Sequence, residues 1–99
     1  MYLTAVRHRV RDFTLWRKAF DHNAGLLFDT FGCVRTHIVK VNNDPTDIAI
    51  INIWKSKKHW EDFGMAHGSE EYKGRLKTKE DGTVVGEVVV WEGEVVEGV

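Results

Sequence analysis

Five histidines, four tryptophans and an asparagine set in an apolar run are the residues of this chain most able to do chemistry. They are densest in HWEDFGMAH, residues 59–67, where His59, Trp60, Phe63 and His67 fall within nine positions. A shared metal ion is the first chemistry to weigh. On a helix, His59 and His67 are separated by about 12 Å of rise and roughly 80° of rotation. Ligands must come within about 2 Å of a metal, so these two cannot share one. No H-x-x-x-H, C-x-x-C or carboxylate cluster with ligand spacing occurs elsewhere; a site could still assemble from His8, His37 and His67 on different elements, but no metal is expected.

His59 falls near the third position of its helix, where free N–H groups and the positive end of the dipole disfavour a charged imidazole, and it reads as a surface residue. His67 shares a helix face with Trp60 and Phe63. Three readings stay open for it: a core histidine satisfied by a backbone carbonyl, a general base with a pKa near ambient pH, or an axial haem ligand. His8 alternates with Val6 and Val10 on a first strand. Asn52 lies two residues from both Ile50 and Trp54 on a third. A buried polar side chain without a partner costs about 1–3 kcal/mol. For Asn52 the partner is a neighbouring side chain, such as His8 if the two strands pair, or a ligand. If both face the helices, His8, Asn52 and His67 converge on one pocket walled by Trp16 and Trp60, with Phe63 beside them. Such an aromatic space with few polar groups suits a flat organic molecule. The competing reading is that the tryptophans only fill the core.

The elements that must position these groups follow from periodicity. YLTAVRHRV, residues 2–10, reads as a strand. Asp12 caps a helix whose stripe is Phe13, Trp16, Phe20, Ala24, Leu27 and Phe31, with Gly32 as its stop. CVRTHIVKV (33–41) and DIAIINIW (47–54) are strands joined through the turn NNDPTD. Ser56 caps a second helix; Gly68 breaks or bends it before SEEYKGRLKTK continues for another helical turn or two. TVVGEVVVW (83–91) is the fourth strand. The order βαββαβ predicts an α+β, ferredoxin-like domain, with a four-stranded antiparallel sheet and both helices on one face.

The third and fourth strands are apolar on both sides, through Ile48, Ala49, Ile50, Ile51 and Ile53 and through Val84, Val85, Val88, Val89 and Val90. A sheet with one wet face should alternate. A homodimer closed through the open sheet face is therefore expected, with EGEVVEGV as a strand or arm crossing to the partner. Arg7 and Arg9 face that side, with Glu87 a plausible ion-pair partner. His37 could fall on either face, and His22 reads as surface.

Composition excludes other classes. Fourteen basic and fifteen acidic residues give a net charge of −1, with no general attraction to nucleic acid or anionic membrane. Lys55, Lys57 and Lys58 are followed by Glu61 and Asp62, as in a solvated helix start. Cys33 is the single cysteine, so no disulfide forms within the chain. Without a signal peptide or a membrane-length apolar run, a soluble cytoplasmic protein is expected. No nucleophile elbow or phosphate-binding glycine loop is present, and Cys33 follows a helix end rather than preceding a helix start.

HRVRDFTLWRKAF (8–20), NNDPTDIAIINIW (42–54) and WKSKKHWEDF (54–63), in that order, resemble the dimeric α/β-barrel superfamily. The likeness is to small stand-alone proteins related to antibiotic-biosynthesis monooxygenases, and it covers nearly the whole chain. It implies a pocket between sheet and helices, the face carrying Trp16, Trp60 and His67. Members include cofactor-free monooxygenases acting on phenolic polyketides, haem-degrading enzymes, polyketide cyclases and small proteins of no known activity. The monooxygenase pattern sets a helix histidine nine residues after the strand-end tryptophan; here that position is Phe63, and His67 lies a turn further on. The resemblance implies a homodimer that binds or transforms a planar hydrophobic molecule, as a monooxygenase needing no cofactor. His67 or His8 would be the base, Asn52 the orienting group, and Trp16, Trp60 and Phe63 the walls. A non-catalytic ligand-binding or structural dimer is the alternative, and a haem protein the third.

Overall fold

The computed structural model describes the backbone of residues 1–67 and 84–98, and the side chains of these except 22–24, 26, 27, 65–67 and 84–87. Among the described residues the strands and α-helices run in the order β1 (Tyr2–Val10), α1 (Phe13–Asp29), β2 (Cys33–Lys40), β3 (Asp47–Trp54), α2 (Lys57–His67) and β4 (Val84–Glu94). The four strands form one antiparallel sheet in the order β2-β3-β1-β4. This is the expected ferredoxin-like arrangement. No helix among the described residues is long and apolar enough to cross a membrane. The expected turn or two of helix in SEEYKGRLKTK, and the break at Gly68, lie outside the described residues, as do the side chains of Ala24 and Leu27 in the α1 stripe.

Local chemistry sets the boundaries. Asp12 Oδ1 accepts the Leu15 N–H at 3.1 Å, satisfying one of the free donors that open α1. α1 ends at Asp29, three residues before Gly32, which adopts φ +70°. A Cβ there would run into the His59 ring, so both the left-handed backbone and the close approach require glycine. At the start of α2, Ser56 Oγ accepts the His59 N–H at 3.4 Å and lies 2.6 Å from His59 Nδ1. His59 is thus half-buried between this cap and Gly32, not free on the surface as its position suggested. Between β2 and β3, Asn42 and Asn43 take φ 53° and 59°. Asp44 Oδ1 accepts both the N–H and the hydroxyl of Thr46, at 2.8 and 2.7 Å. Asparagine tolerates the left-handed region and aspartate closes such turns.

The register assigns the faces. Tyr2, Thr4, Val6 and His8 pair with Trp54, Asn52, Ile50 and Ile48. These residues point to the helices: Trp54 meets Trp60 and Phe63 of α2, and His8 meets Trp16 of α1. Two clusters result. Tyr2, Cys33 and Trp54 pack with Phe20, Phe31, Trp60 and Phe63, whereas Val10, Trp16 and Ile48 pack with Phe13, Phe20, Ile38 and Ile50. Phe20 belongs to both. β4 extends through Glu92, Gly93 and Glu94, paired with Thr4, Leu3 and Tyr2, so the first residues of the supposed tail are strand. The chain continues with the Val95 N–H donating to the Met1 carbonyl at 2.9 Å.

Candidate functional site

The site is built on the helix-facing side of the sheet. His8 sits near the inner end of β1, 5% exposed, its ring centroid 5.7 Å from Trp16. Neither of its ring nitrogens has a hydrogen-bond partner among the described residues. Burial pushes its pKa below the ordinary histidine value, because a charged imidazole loses its hydration there. The β1–β4 ladder slips beside it: Arg7 faces Val89 but Arg9 faces Val85, leaving His8 with no register partner on β4. Such bulges re-aim side chains and occur often beside functional sites.

Asn52 lies on the same face, 6% exposed, with Oδ1 buried and without a partner among the described residues. It does not meet His8. β1 and β3 do pair, but Asn52 stands opposite Thr4 and His8 opposite Ile48. Four residues of strand put their backbones about 13 Å apart, too far for the hydrogen bond that the pairing suggested. The neighbours of Asn52 are Thr36 on β2 and Thr4 on β1, and Thr4 in turn faces Glu92 on β4. Thr36, Asn52, Thr4 and Glu92 thus make one polar row across all four strands. Thr4 accepts the Trp54 indole N–H at 2.9 Å, and Glu92 accepts the Tyr2 hydroxyl at 2.9 Å and the Trp60 indole N–H at 2.8 Å. The Tyr2 phenol is pushed up by burial and by this carboxylate. Thr36 Oγ1, like Asn52 Oδ1, is buried and unpartnered.

Trp16 and Trp60 do not stand side by side. Trp16 stacks between Phe13 and Phe20 near His8, whereas Trp60 stacks on Phe63 against Trp54. The candidates therefore form two groups, His8 with Trp16 and Trp60 with Phe63, and Asn52 lies on the sheet row between Trp54 and Ile50. His67 ends α2, and its side chain lies outside the described residues. Among the described residues, no group of His, Cys, Asp or Glu is arranged to hold a metal ion. Cys33 is buried, which pushes its thiol pKa up and keeps it unreactive.

Thr4, Thr36, Trp54 and Glu92 are the site residues that periodicity did not reveal. The short β2–β3 hairpin carried a signal for Thr36, since its register sets Thr36 opposite Asn52.

The other face is open. Val39, Val89 and Trp91 are exposed, Trp91 to 63%. Arg7 holds Asp47 with two hydrogen bonds, Nε to Oδ1 at 3.0 Å and Nη2 to Oδ2 at 2.7 Å, which keeps that carboxyl below the ordinary carboxylate range. Arg9 reaches Asp44 at 3.5 Å. Asp47, not Glu87, is therefore the partner found for Arg7; the Glu87 side chain lies outside the described residues. His37 faces this side, opposite Ile51. A hollow of about 430 Å³ is lined by Leu3, Trp91, Gly93 and Glu94–Glu97. A second, about 240 Å³, opens at the ladder slip between Arg7, His8, Arg9, Asp47 and Val89.

No protein-family model matches the chain, and no curated protein does. Solved structures do. A Deinococcus radiodurans protein provisionally assigned as an antibiotic biosynthesis monooxygenase superposes with a TM-score of 0.79 at 15% identity, covering 100% of this chain and 96% of that one. A variant of MhuD, solved with two manganese protoporphyrin IX molecules bound per active site, gives 0.71 at 14% identity over 100% and 98%. A variant of SnoaB, a cofactor-independent oxygenase from Streptomyces nogalater, gives 0.70 at 11% over 99% and 95%. The whole chain therefore has the ferredoxin-like fold of antibiotic-biosynthesis-monooxygenase-like proteins. At these identities the likeness is one of fold.

Proposed function

We propose that the protein is a homodimer in which each subunit takes up a planar hydrophobic molecule between sheet and helices and acts on it as a cofactor-independent monooxygenase. The observation that carries this reading is His8: an imidazole buried against Trp16, held toward its neutral form by that burial, with both nitrogens unpaired among the described residues. A neutral imidazole accepts a proton, and an aromatic wall orients a flat ring beside it. On a phenol, His8 would take the hydroxyl proton. The electron-rich phenolate would then react with dioxygen, one oxygen atom entering the ring as a quinone carbonyl and the other leaving as water. The substrate itself supplies the electrons. Trp16 would wall the ring on one side, Trp60 and Phe63 would border the far cluster, and Asn52 would orient a polar edge; His67 is the second candidate base. The fold shared with SnoaB supports the chemistry. Support for the dimer comes from the open face, where Trp91, Val89 and Val39 lie bare.

Haem is the second reading, favoured by the fold shared with the MhuD variant. An unpaired imidazole nitrogen is a donor that haem iron takes, and His8 offers one. The two readings separate in one experiment. Dioxygen uptake is followed with 1,3-dihydroxynaphthalene, and a Soret band is sought on titration with haem. Uptake that falls at least a hundredfold in His8→Ala, with no Soret shift, supports the oxygenase. A Soret band lost in His8→Ala, without uptake, replaces it with haem binding. Neither response leaves a ligand-binding or structural dimer.

A further inference from the structure

Thr36 and Asn52 are direct cross-strand partners on the helix-facing side of the β2–β3 hairpin. Each carries a buried oxygen without a hydrogen-bond partner among the described residues, Oγ1 of one and Oδ1 of the other. Directly opposed residues hold their Cβ atoms about 4.5–5.5 Å apart, so the two oxygens belong to one small area of the sheet. Two adjacent unpaired oxygens are costly to bury, and the cost falls when a third group bonds to both. The rest of the row is already engaged: Thr4 accepts from Trp54, and Glu92 from Tyr2 and Trp60. The next row toward the His8 end is Ile38, Ile50 and Val6, which is entirely apolar.

We infer that Thr36 and Asn52 form a two-oxygen clamp that selects ligands bearing a hydroxyl on one edge of an otherwise apolar ring system. An amide oxygen only accepts, whereas a threonine hydroxyl accepts or donates. A ligand hydroxyl can therefore donate to Asn52 Oδ1 while accepting from Thr36 Oγ1, and an unsubstituted hydrocarbon leaves both unpaired. The clamp lies away from His8 along the strands, so it fixes orientation and is not a base. Thr36 is its specificity-determining member. The inference rests on the pocket proposed above, and its test separates the two.

Binding of 1,3-dihydroxynaphthalene and of naphthalene is measured by quenching of tryptophan fluorescence in the wild type, Thr36→Val and Thr36→Ser. Thermal melting of each ligand-free protein is recorded alongside. The clamp predicts that the wild type prefers the diol by roughly tenfold, about one good hydrogen bond's worth. Thr36→Val, which keeps the shape and removes the hydroxyl, abolishes that preference without changing naphthalene affinity or lowering Tm. Thr36→Ser restores it. If Thr36→Val lowers Tm by several degrees and leaves the preference intact, the two residues merely serve each other and the clamp is wrong. Equal binding of both probes by the wild type also overturns the clamp but leaves the pocket standing. If neither probe binds, the pocket and the clamp fall together.

Discussion

The two faces of this sheet have opposite deficits. On the open face the principal charges are matched, Arg7 with Asp47 and Arg9 with Asp44, while Trp91, Val89 and Val39 lie bare. On the helix face the large apolar groups are covered, Trp54, Ile48 and Val10 almost completely, while polar atoms of His8, Thr36 and Asn52 find no partner among the described residues. A face lacking apolar cover is completed by another protein surface, since roughly 25 cal/mol accompanies each Å² of apolar area buried. A face lacking hydrogen bonds is completed by a few polar groups on a small body. On the function proposed above, the two faces of one sheet would serve two kinds of partner, a second copy and a ligand.

The largest expected effects come from denying each face what it lacks or already has. On the open face, Trp91→Glu places a charge where an apolar partner should sit. Dimer dissociation should rise at least a hundredfold, about 2.7 kcal/mol, seen as a monomer by sedimentation with the fold intact by circular dichroism. A dimer that survives unchanged would mean that this face is not the interface. On the helix face, Trp16→Ala should destabilise the protein by about 3–5 kcal/mol in urea unfolding, the usual cost of deleting a buried tryptophan. A loss below about 1 kcal/mol would mean that Trp16 contributes little to the packing of this face.

A smaller change sharpens the contrast. Asn52→Leu removes a buried unpaired oxygen and retains the approximate volume. In the ligand-free protein it should be neutral or stabilising by up to about 1 kcal/mol, whereas Asp47→Asn, which breaks a matched pair, should lower Tm. An Asn52→Leu variant that melts well below the wild type would show that Asn52 is a satisfied structural residue, and the comparison of faces would lose half its content.

The sequence made the elements and much of the face assignment legible, for physical reasons. β1 and β3 were bounded by their runs of β-forming residues and by the Asp12 and Asn42–Asp44 stops, and both match the structure. Helix starts were visible because Asp12 and Ser56 are caps. β4 read three residues short, because Glu92, Gly93 and Glu94 look like tail until Thr4, Leu3 and Tyr2 are seen to pair with them. The site was harder to read. Periodicity assigned His8 and Asn52 to faces that converge, but face and register are separate facts, and the register holds them four residues apart. The polar row joins single residues from four strands; Asn52 stood out in its apolar strand and the β2–β3 hairpin pointed to Thr36, but Thr4 and Glu92 join the row only through the β1 pairings, which no local pattern reveals.

The smallest predicted effect isolates His8 within the helix face. Its pKa in the folded protein is depressed by burial, so the unfolded chain binds that proton more readily. Its contribution to stability is therefore full above the ordinary histidine value of about 6.5 and is lost as pH falls through that value toward the folded pKa. Asp44 and Asp47 have depressed values for a different reason, hydrogen bonds from Thr46 and from Arg7. Their contributions fade only below the ordinary carboxylate value of about 3.9, which separates the two windows. Urea unfolding from pH 7.5 to 3.5 should show stability falling as His8 protonates in the unfolded state, and His8→Phe should flatten that part of the curve while leaving the decline near pH 4. A ligand bound against the neutral imidazole should deepen the same slope, because protonation then opposes binding as well as folding. A slope unchanged in His8→Phe would mean that another histidine controls it, and His8 would lose its place as the buried neutral base.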